Sequence, residues 1–209
     1  MARVEKIVIA SNNRGKLKEI EALFIGKDIS IVPQSDFSIS DADETGLSFI
    51  ENAIIKARHA AEQTQLPAIA DDSGIEVDIL NGEPGIYSAR FAGEGASDED
   101  NLNLLLEKLK QSGEAKPSAR FQCAMVYLRH ASDPTPLIAQ GSWQGHIVFE
   151  PRGANGFGYD PIFYVPDQRC TSAELPPQLK NKISHRAQAM QLLLKKLFNT
   201  AEFTDVSTL

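Results

Sequence analysis

The feature that most restricts how this chain can fold is an apolar run that leads directly into a polar loop and an amphipathic segment. The run KIVIA, residues 6–10, is rich in β-branched side chains and is typical of a buried strand. The loop SNNRGK, residues 11–16, follows, and apolar residues then recur at helical spacing over residues 17–24. A strand, a loop and a helix in this order predict a βα unit, in which a helix packs against a sheet.

The remaining elements predict an α/β fold with a mixed β-sheet and flanking helices. Further strands are predicted at residues 28–33, 67–74, 119–129 and 137–149, and further helices at residues 48–63, 97–113 and 184–198. The last two strands are consecutive, so we expect them to form an antiparallel pair. Alternating residues 74–82 are expected to be extended and half-exposed. We find no repeat and no linker, so residues 1–209 are predicted to form a single domain.

Charge, cysteine content and hydropathy narrow the classes of function. The net charge of -7, from 28 acidic and 21 basic residues, repels a nucleic-acid backbone, so we expect no nucleic-acid polymer as a partner. Cys123 and Cys170 are too few for a disulfide scaffold or a zinc site and suit a reducing compartment. No apolar run approaches the ~20 residues that span a bilayer, and the first apolar stretch is too short for a signal peptide. We therefore expect a cytoplasmic protein with no membrane partner.

The loop between the first strand and the first helix offers the donors of a phosphate site. Backbone amides at a helix N-terminus, short polar side chains and a lysine attract phosphate, although the glycine spacing is not that of a Walker loop. The alternative is an ordinary capped connection with a solvated lysine. The candidate residues are Ser11, Asn12, Asn13, Arg14, Gly15 and Lys16.

Two adjacent acids, Asp71 and Asp72, stand where the third strand is predicted to end. Neighbouring residues of a strand point to opposite faces, so we expect one acid to act in a site and the other to support it. Mg²⁺ prefers a few carboxylates together with phosphate oxygens, so Asp72 with Glu44 or Asp43 is a candidate metal site. Asp-Ser-Gly is also ordinary turn chemistry, so a solvated turn is the alternative.

The segment GFGYDPIF, residues 156–163, combines glycines with aromatic residues. Such a loop can stack an aromatic side chain on a flat ring, and Asp160 can accept hydrogen bonds from ring nitrogens. The alternative is a turn that buries Phe157 and Tyr159 in the core.

The segment KNKISHR, residues 180–186, places cations around a predicted helix start, where they oppose the helix dipole. The cluster, a candidate for binding an anion, consists of Lys180, Lys182, His185 and Arg186. A solvated basic turn is the alternative.

Six segments resemble, in the same order, the inosine/xanthosine triphosphate pyrophosphatases, and in particular their bacterial branch. The segments are ASNNRGKLKEI, ETGLSFIENAIIKARHAA, PAIADDSGIEVDILNGEPGIYSARFAGE, ARFQCAMVYLRH, GFGYDPIF and SHRAQA. These enzymes hydrolyse non-standard purine nucleoside triphosphates to the monophosphate and pyrophosphate and so cleanse the nucleotide pool. The resemblance implies an elongated, two-lobed α/β molecule with a central substrate cleft, a homodimer and a need for Mg²⁺.

The same resemblance assigns residues to roles. It implies that Asp72 is the general base and a metal ligand, that Glu44 is the second metal-associated acid, and that Ser73 contacts the substrate. Residues 11–16 match the triphosphate loop, although Asn13 stands where the family often has a small residue. The segment implied to bind the base consists of Phe157, Gly158, Tyr159 and Asp160, with Lys180 as a further contact and His185 and Arg186 as the pair that reads the purine.

Two other functions remain open from the sequence. A nucleotide-binding module without turnover needs the basic residues but not Asp72, which is present here. An enzyme for a standard or pyrimidine triphosphate differs in its choice of base. Turnover of a panel of triphosphates separates all three hypotheses.

Overall fold

The computed structural model describes residues 6–26 and 29–202, with side chains as far as residue 198. Seven strands form one sheet in the order β2-β1-β3-β4-β5-β6-β7. The strands are β1 Lys6–Ile9, β2 Ser30–Pro33, β3 Ala68–Val77, β4 Ser118–Leu128, β5 Leu137–Ile147, β6 Phe163–Val165 and β7 Cys170–Thr171. The helices are α1 Arg14–Phe24, α2 Phe49–Thr64, α3 Asp98–Ser112, α4 Pro177–Ile183 and α5 His185–Glu202.

The sheet is mixed, as predicted. Strand β1 pairs in parallel with β2 and β3, whereas β6 pairs in antiparallel fashion with β5 and β7. Strands β4 and β5 are neighbours, as expected from their adjacency in sequence. The α/β class and the mixed sheet with helices are therefore confirmed, and the elongated two-lobed shape with a central cleft stays a prediction. The first part of the predicted strand at 28–33 includes a residue outside the described ones.

The prediction that a strand ends at the two acids is wrong. Strand β3 runs without interruption through Asp71 and Asp72 to Val77. After the acids, the expected alternation holds for Ile75, Glu76 and Val77, but residues 78–80 form a helical turn in which Ile79 is exposed. What does end before the acids is the parallel pairing with β1, whose last matched pair is Ile9 and Ile69.

The chain divides into two compact units. The first contains the described residues up to Asp72, residues 124–141 and the described residues from Arg186 onward. The second contains residues 73–123 and 142–185. The single-domain organisation expected from the sequence stays a prediction.

The core of the first unit depends on small side chains from α2. Its alanines recur at helical spacing and pack against apolar residues of the sheet such as Val8 and Val126. Because alanine reaches only one carbon from the backbone, this face lets the helix lie close to the strands. The buried alanines of α2 are Ala53, Ala57, Ala60 and Ala61.

The core of the second unit combines a leucine face on α3 with aromatic residues. Helix α3 begins with a capping box in which Ser97 and Asp100 exchange hydrogen bonds, as its sequence indicates. Its buried residues include Leu102, Leu105 and Leu109. They share a cluster with aromatic residues of the later strands. Across the described part of the chain, no helix is long and apolar enough to cross a membrane.

Gly145 allows a close approach between β5 and β6. A methyl group at this position would lie 2.4 Å from the carbonyl oxygen of Tyr164 and 2.6 Å from the ring of Phe163. We expect Gly145→Ala to lower the free energy of unfolding by about 1–3 kcal/mol, because the strand pair cannot move without losing contacts. Urea unfolding measures the change. Gln144→Ala, at the exposed neighbouring position, should change the free energy by less than about 0.5 kcal/mol; equal effects of the two variants would contradict the steric argument.

Candidate active site

The predicted phosphate loop is an N-terminal cap of α1. The side-chain oxygen of Asn13 accepts hydrogen bonds from the amides of Gly15 at 2.9 Å and Lys16 at 3.0 Å. Ser11 Oγ in turn accepts a hydrogen bond from the Asn13 amide at 3.2 Å. The alternative of a capped connection therefore holds for the amides of Gly15 and Lys16, because the Asn13 side chain accepts from both. The Asn13 side chain acts on its own helix.

The loop is also tied to a second loop of the first unit. Asn12 donates a hydrogen bond to Asp41 at 3.0 Å, and the same carboxylate oxygen accepts one from the buried Gln34 at 2.6 Å. The Arg14 side chain is exposed at the first turn of α1. Of the predicted loop residues, Lys16 is therefore the one that reaches the acids of β3.

Asp71 is enclosed by cations. Its side chain is fully buried, and its Oδ2 lies 3.2 Å from Lys16 Nζ and 3.2 Å from Arg186 Nε. Burial raises the pKa of Asp71, but Lys16, Arg186 and Lys56 lower it by more, so the pKa lies well below its ordinary value. Arg186 also forms an ion pair with Glu19 of α1. These contacts favour the ionised form of Asp71, and its expected role as the supporting acid stays a prediction.

Asp72 shares one lysine with Glu44. Lys56 Nζ, from α2, lies 2.7 Å from Asp72 Oδ1 and 2.8 Å from Glu44 Oε1. Asn52, one turn earlier on the same helix, donates from Nδ2 to Asp72 Oδ2 at 3.4 Å. The two acids predicted to hold a metal are therefore brought together, and Asp71 belongs to a separate set of contacts.

The electrostatics of this pair differ from those of Asp71. Burial raises the pKa of Asp72 above its ordinary value, and Lys56 and Lys16 offset only part of that effect. Burial lowers the pKa of Lys56, but the surrounding carboxylates, Asp72 foremost, raise it by more, so its ammonium form is favoured. The surroundings of the two adjacent acids therefore differ in effect. They lower the pKa of Asp71 and raise the pKa of Asp72 relative to an exposed aspartate.

Sequence reasoning missed Lys56 and Asn52. Both lie in the helix that was predicted, and their spacing of four residues puts them on one helical face. That spacing beside the alanine stripe was the available signal. It does not reveal which part of the sheet the face meets, because this depends on how the helix packs.

The acids fit a magnesium ion that also binds substrate. In the described ranges, 6–26 and 29–202, no group of three or more histidine, cysteine or acidic residues could hold a metal by itself. Mg²⁺ is usually bound through one or two carboxylates together with phosphate oxygens, which matches the pair formed by Asp72 and Glu44. The shared ammonium of Lys56 demonstrates that both carboxylates reach one cation. Asp43, the other candidate, is exposed on the loop beside Glu44.

In the second unit, Asp160 organises the glycine-rich loop. Its Oδ2 accepts from Lys180 Nζ at 2.5 Å and from the Phe157 amide at 2.9 Å, and its Oδ1 accepts from the Ser172 hydroxyl at 2.7 Å. The carboxylate is buried, so loss of the Lys180 ammonium would leave an uncompensated charge inside the loop. A side chain at Gly156 would collide with Asp160 Oδ2, which explains the glycine there. The structure thus gives Asp160 an internal role, and its predicted contact with ring nitrogens stays untested.

The two aromatic residues of this loop have different surroundings. Tyr159 is buried in the core, where its hydroxyl donates to the Ser88 carbonyl at 2.8 Å. Burial raises the pKa of Tyr159. Phe157 is half-buried, and Lys180 Nζ lies 5.2 Å from the centre of its ring. The prediction of a ring that stacks on a ligand therefore remains with Phe157, and the buried-turn alternative holds for Tyr159. The Gly158 amide donates to Asp98 at 2.8 Å.

The other predicted contacts lie in separate clusters. His185 is buried in the second unit and stacks on Phe121, with ring centres 4.7 Å apart. Arg186, the next residue, belongs to the first unit with Asp71 and Glu19. Ser73 is half-buried in β3 directly after Asp72. The purine-reading role of the pair His185 and Arg186 stays a prediction, as does the substrate contact at Ser73.

The two acids should have opposite effects on the pH dependence of stability. The folded-state pKa of Asp71 lies below its unfolded value, so its contribution is present above about pH 4 and is lost as the pH falls below that value. The folded-state pKa of Asp72 lies above its unfolded value, so its contribution is present in acid and is lost as the pH rises through the folded-state pKa. Relative to wild type at pH 7, Asp71→Asn should therefore be less stable, whereas Asp72→Asn should lose less, because the cost of burying the Asp72 charge offsets part of its ion pair with Lys56.

Urea unfolding of both variants from pH 3 to pH 7 measures these contributions. The deficit of Asp71→Asn should shrink as the pH falls toward 3, because wild type then loses the same ionised group. A constant deficit for Asp71→Asn, or a large loss of stability in Asp72→Asn at pH 7, would contradict the assignment.

Comparison with known proteins agrees with the resemblance stated from the sequence. The model of the Ham1 family matches residues 7–196. A dITP/XTP pyrophosphatase of Thioalkalivibrio sulfidiphilus is 57% identical over 92% of this chain and 98% of its own length. A dITP/XTP pyrophosphatase of Escherichia coli is 56% identical over 94% of this chain and 100% of its own. The solved structure of a HAM1 protein from Coxiella burnetii has a TM-score of 0.87 at 50% identity and covers 93% of this chain and 99% of its own. The chain therefore belongs to the Ham1 family.

Proposed function

We propose that this chain hydrolyses non-standard purine nucleoside triphosphates, namely inosine, deoxyinosine and xanthosine triphosphate, to the monophosphate and pyrophosphate. The relatives named dITP/XTP pyrophosphatase, at 56% and 57% identity, support this substrate class. Such an activity removes these nucleotides before they are incorporated into DNA or RNA.

The observation that carries the proposal is the buried carboxylate of Asp72, which lies beside Glu44 because both contact the ammonium group of Lys56. Hydrolysis at the α-phosphorus needs a group that takes a proton from water. The carboxylate of Asp72 can accept that proton, and its two oxygens are held by Lys56 and Asn52. The water oxygen forms a bond to the α-phosphorus, the bond from that phosphorus to the bridging oxygen breaks, and Asp72 receives the proton.

Mg²⁺ is proposed as the cofactor. Asp72 and Glu44 would hold it together with phosphate oxygens of the substrate. When bound, the ion would neutralise charge on the departing pyrophosphate. Lys56 keeps the two carboxylates close together in this structure.

Lys16 is proposed to bind the triphosphate. Its ammonium is held by Asp71 at the first turn of α1, and Asp71 is itself held by Arg186. This arrangement fixes a cation on the chain segment that matches the triphosphate loop. The other loop residues, Ser11 to Gly15, supply polar groups at the same turn.

We propose that residues of the second unit bind the purine base of the substrate. Phe157 offers a half-buried ring, and Lys180 and Asp160 fix the backbone around it. Inosine and xanthosine carry a carbonyl at the six-position, where adenine carries an amino group. A donor facing that position would be left unpaired against adenine, at a cost of about 1–3 kcal/mol.

A cytoplasmic homodimer completes the proposal. The cytoplasm is supported by the low cysteine content: the sequence has only Cys123 and Cys170, which suits a reducing compartment. The homodimer is supported by the family resemblance.

Turnover of inosine triphosphate with Mg²⁺ is the direct test. We expect pyrophosphate and inosine monophosphate as products, with much slower release from adenosine, guanosine and pyrimidine triphosphates. Asp72→Asn should lower kcat by about 10²- to 10⁴-fold, the usual contribution of a general base. Asp133→Asn is a matched control, because Asp133 is a buried acid of the same unit that pairs with Arg129; it should lose stability and keep kcat.

Each contrary result has a distinct meaning. Tight binding of inosine triphosphate without release of pyrophosphate would favour a binding module. Release of inorganic phosphate would place the cleavage at another phosphorus. Near-normal kcat in Asp72→Asn would remove the proposed base.

Lys16→Met should weaken substrate binding more than it slows the chemical step. A hydrogen bond to a charged group contributes about 1.5–3 kcal/mol, so KM for inosine triphosphate should rise by about 10- to 100-fold. Steady-state kinetics at saturating Mg²⁺ measure the change. Lys18→Met is the control, because Lys18 is exposed two residues later on α1. A similar rise in KM for both variants would indicate only a loss of net positive charge.

A further inference from the structure

Helices α2 and α3 begin with the same local arrangement. Each has a serine cap, an acid three residues after the serine and a buried asparagine four residues after it. The segments are SFIEN, residues 48–52, and SDEDN, residues 97–101. In each case the asparagine Oδ1 accepts a hydrogen bond from a backbone amide of the preceding loop. For Asn52 the donor is Gly46 at 2.8 Å, and for Asn101 it is Ala92 at 2.8 Å. One half of the arrangement is therefore a structural device that both helices share.

The other half differs between the two helices. Asn101 Nδ2 donates to the carbonyl oxygen of Ala89 at 3.2 Å, so this side chain serves only the backbone. Asn52 Nδ2 instead donates to Asp72 Oδ2 at 3.4 Å. The orientation of the Asn52 amide is fixed, because the Gly46 amide can only donate and therefore requires the oxygen on its side. The NH₂ group must then face Asp72.

A carboxylate needs more than one contact to hold a single orientation, since rotation about its last bond is only weakly restricted. Asp72 has two such contacts in this cluster. Lys56 holds Oδ1 at 2.7 Å, and Asn52 holds Oδ2. The two side chains are one turn apart on α2, so a single rigid helix supplies both.

Asn52 also connects this carboxylate to the loop that carries Glu44. Its Oδ1 binds the amide of Gly46, two residues after Glu44. No side chain fits at Gly46, because an added carbon would lie 2.6 Å from Glu51 Cβ and 2.7 Å from Asn52 Oδ1. The loop therefore lies directly on the helix: Lys56 holds the side chain of Glu44, and Asn52 holds the loop backbone two residues later, at Gly46.

We propose that Asn52 is a positioning residue that sets the orientation of the Asp72 carboxylate and its register with Glu44. The role rests on the proposed function, in which Asp72 takes a proton from water. Asn52 touches neither water nor substrate in this role and acts through Asp72. Its counterpart Asn101 is also buried but directs its NH₂ group to a backbone carbonyl, so the contact with a carboxylate is specific to Asn52.

The matched pair Asn52→Asp and Asn101→Asp tests the role. Each change keeps an oxygen for the loop amide and replaces the NH₂ donor by an oxygen that faces an acceptor. Both variants should therefore lose stability. Only Asn52→Asp should lower kcat on inosine triphosphate, by about 10- to 100-fold as for other misplaced catalytic groups, with KM within about threefold of wild type. Thermal unfolding of each variant establishes that the assays are run on folded protein.

Asn52→Leu and Asn101→Leu provide a second pair without a new charge beside Asp72. The same split is expected, with kcat reduced only for the change at Asn52. A kcat within twofold of wild type in either folded variant at Asn52 would overturn the role, and so would an equal loss of kcat in the variants at Asn101. If the variants at Asn52 failed to fold while those at Asn101 folded, the residue would be structural and the role would be wrong. A wild-type chain that released no pyrophosphate would remove the proposed function as well.

Discussion

Burial of negative charge controls the arrangement of the first unit. Asp71 and Asp72 are adjacent on one strand and almost completely enclosed, and a buried carboxylate is stable only beside a cation or a hydrogen-bond donor. Lys16 and Arg186 meet this need for Asp71, and Lys56 meets it for Asp72. The three cations come from three different helices. The acids of one strand therefore determine how α1, α2 and α5 present their polar faces.

Close packing makes the lysine available. The alanine face of α2 allows the helix to lie near the sheet, and Asn52 and Lys56 each immediately precede an alanine of that face. A larger residue at Ala53 or Ala57 would move the helix outward and take both polar groups away from Asp72. The polar cluster and the apolar core of this unit are thus consequences of the same helix position.

Much of the fold follows from local sequence, because its signals are local. The first strand and helix, the serine caps of α2 and α3 and the strands of the mixed sheet all rest on short-range periodicity and capping. The predicted end of β3 is wrong because Asp-Ser-Gly favours a turn when the acids are solvated. Here the acids are buried beside cations from distant parts of the chain, and the strand continues. The same long-range dependence hid Lys56. Its position in a helix was predictable, and its partners, 12 and 16 residues away, were not.

Asp72 and Glu44 were predicted as candidate metal ligands, and both contact the ammonium group of Lys56. For the aromatic loop, the sequence did not separate a ring that stacks on a ligand from a ring that is buried. Tyr159 was placed with the ligand-binding residues, yet its ring fills the core, because a buried tyrosine is stable there once its hydroxyl has an acceptor. The family resemblance implies that this loop binds the purine base. It does not report which of two neighbouring aromatic rings faces inward.

The cap at the start of α1 has a further consequence. Asn13 occupies the two amide protons that the helix would otherwise present to an anion. A phosphate that accepts hydrogen bonds from these amides must first displace Asn13 Oδ1, a neutral oxygen of the same loop. In the proposed function, the affinity of the α1 N-terminus for a triphosphate would therefore depend on the balance between that intramolecular contact and the incoming charge.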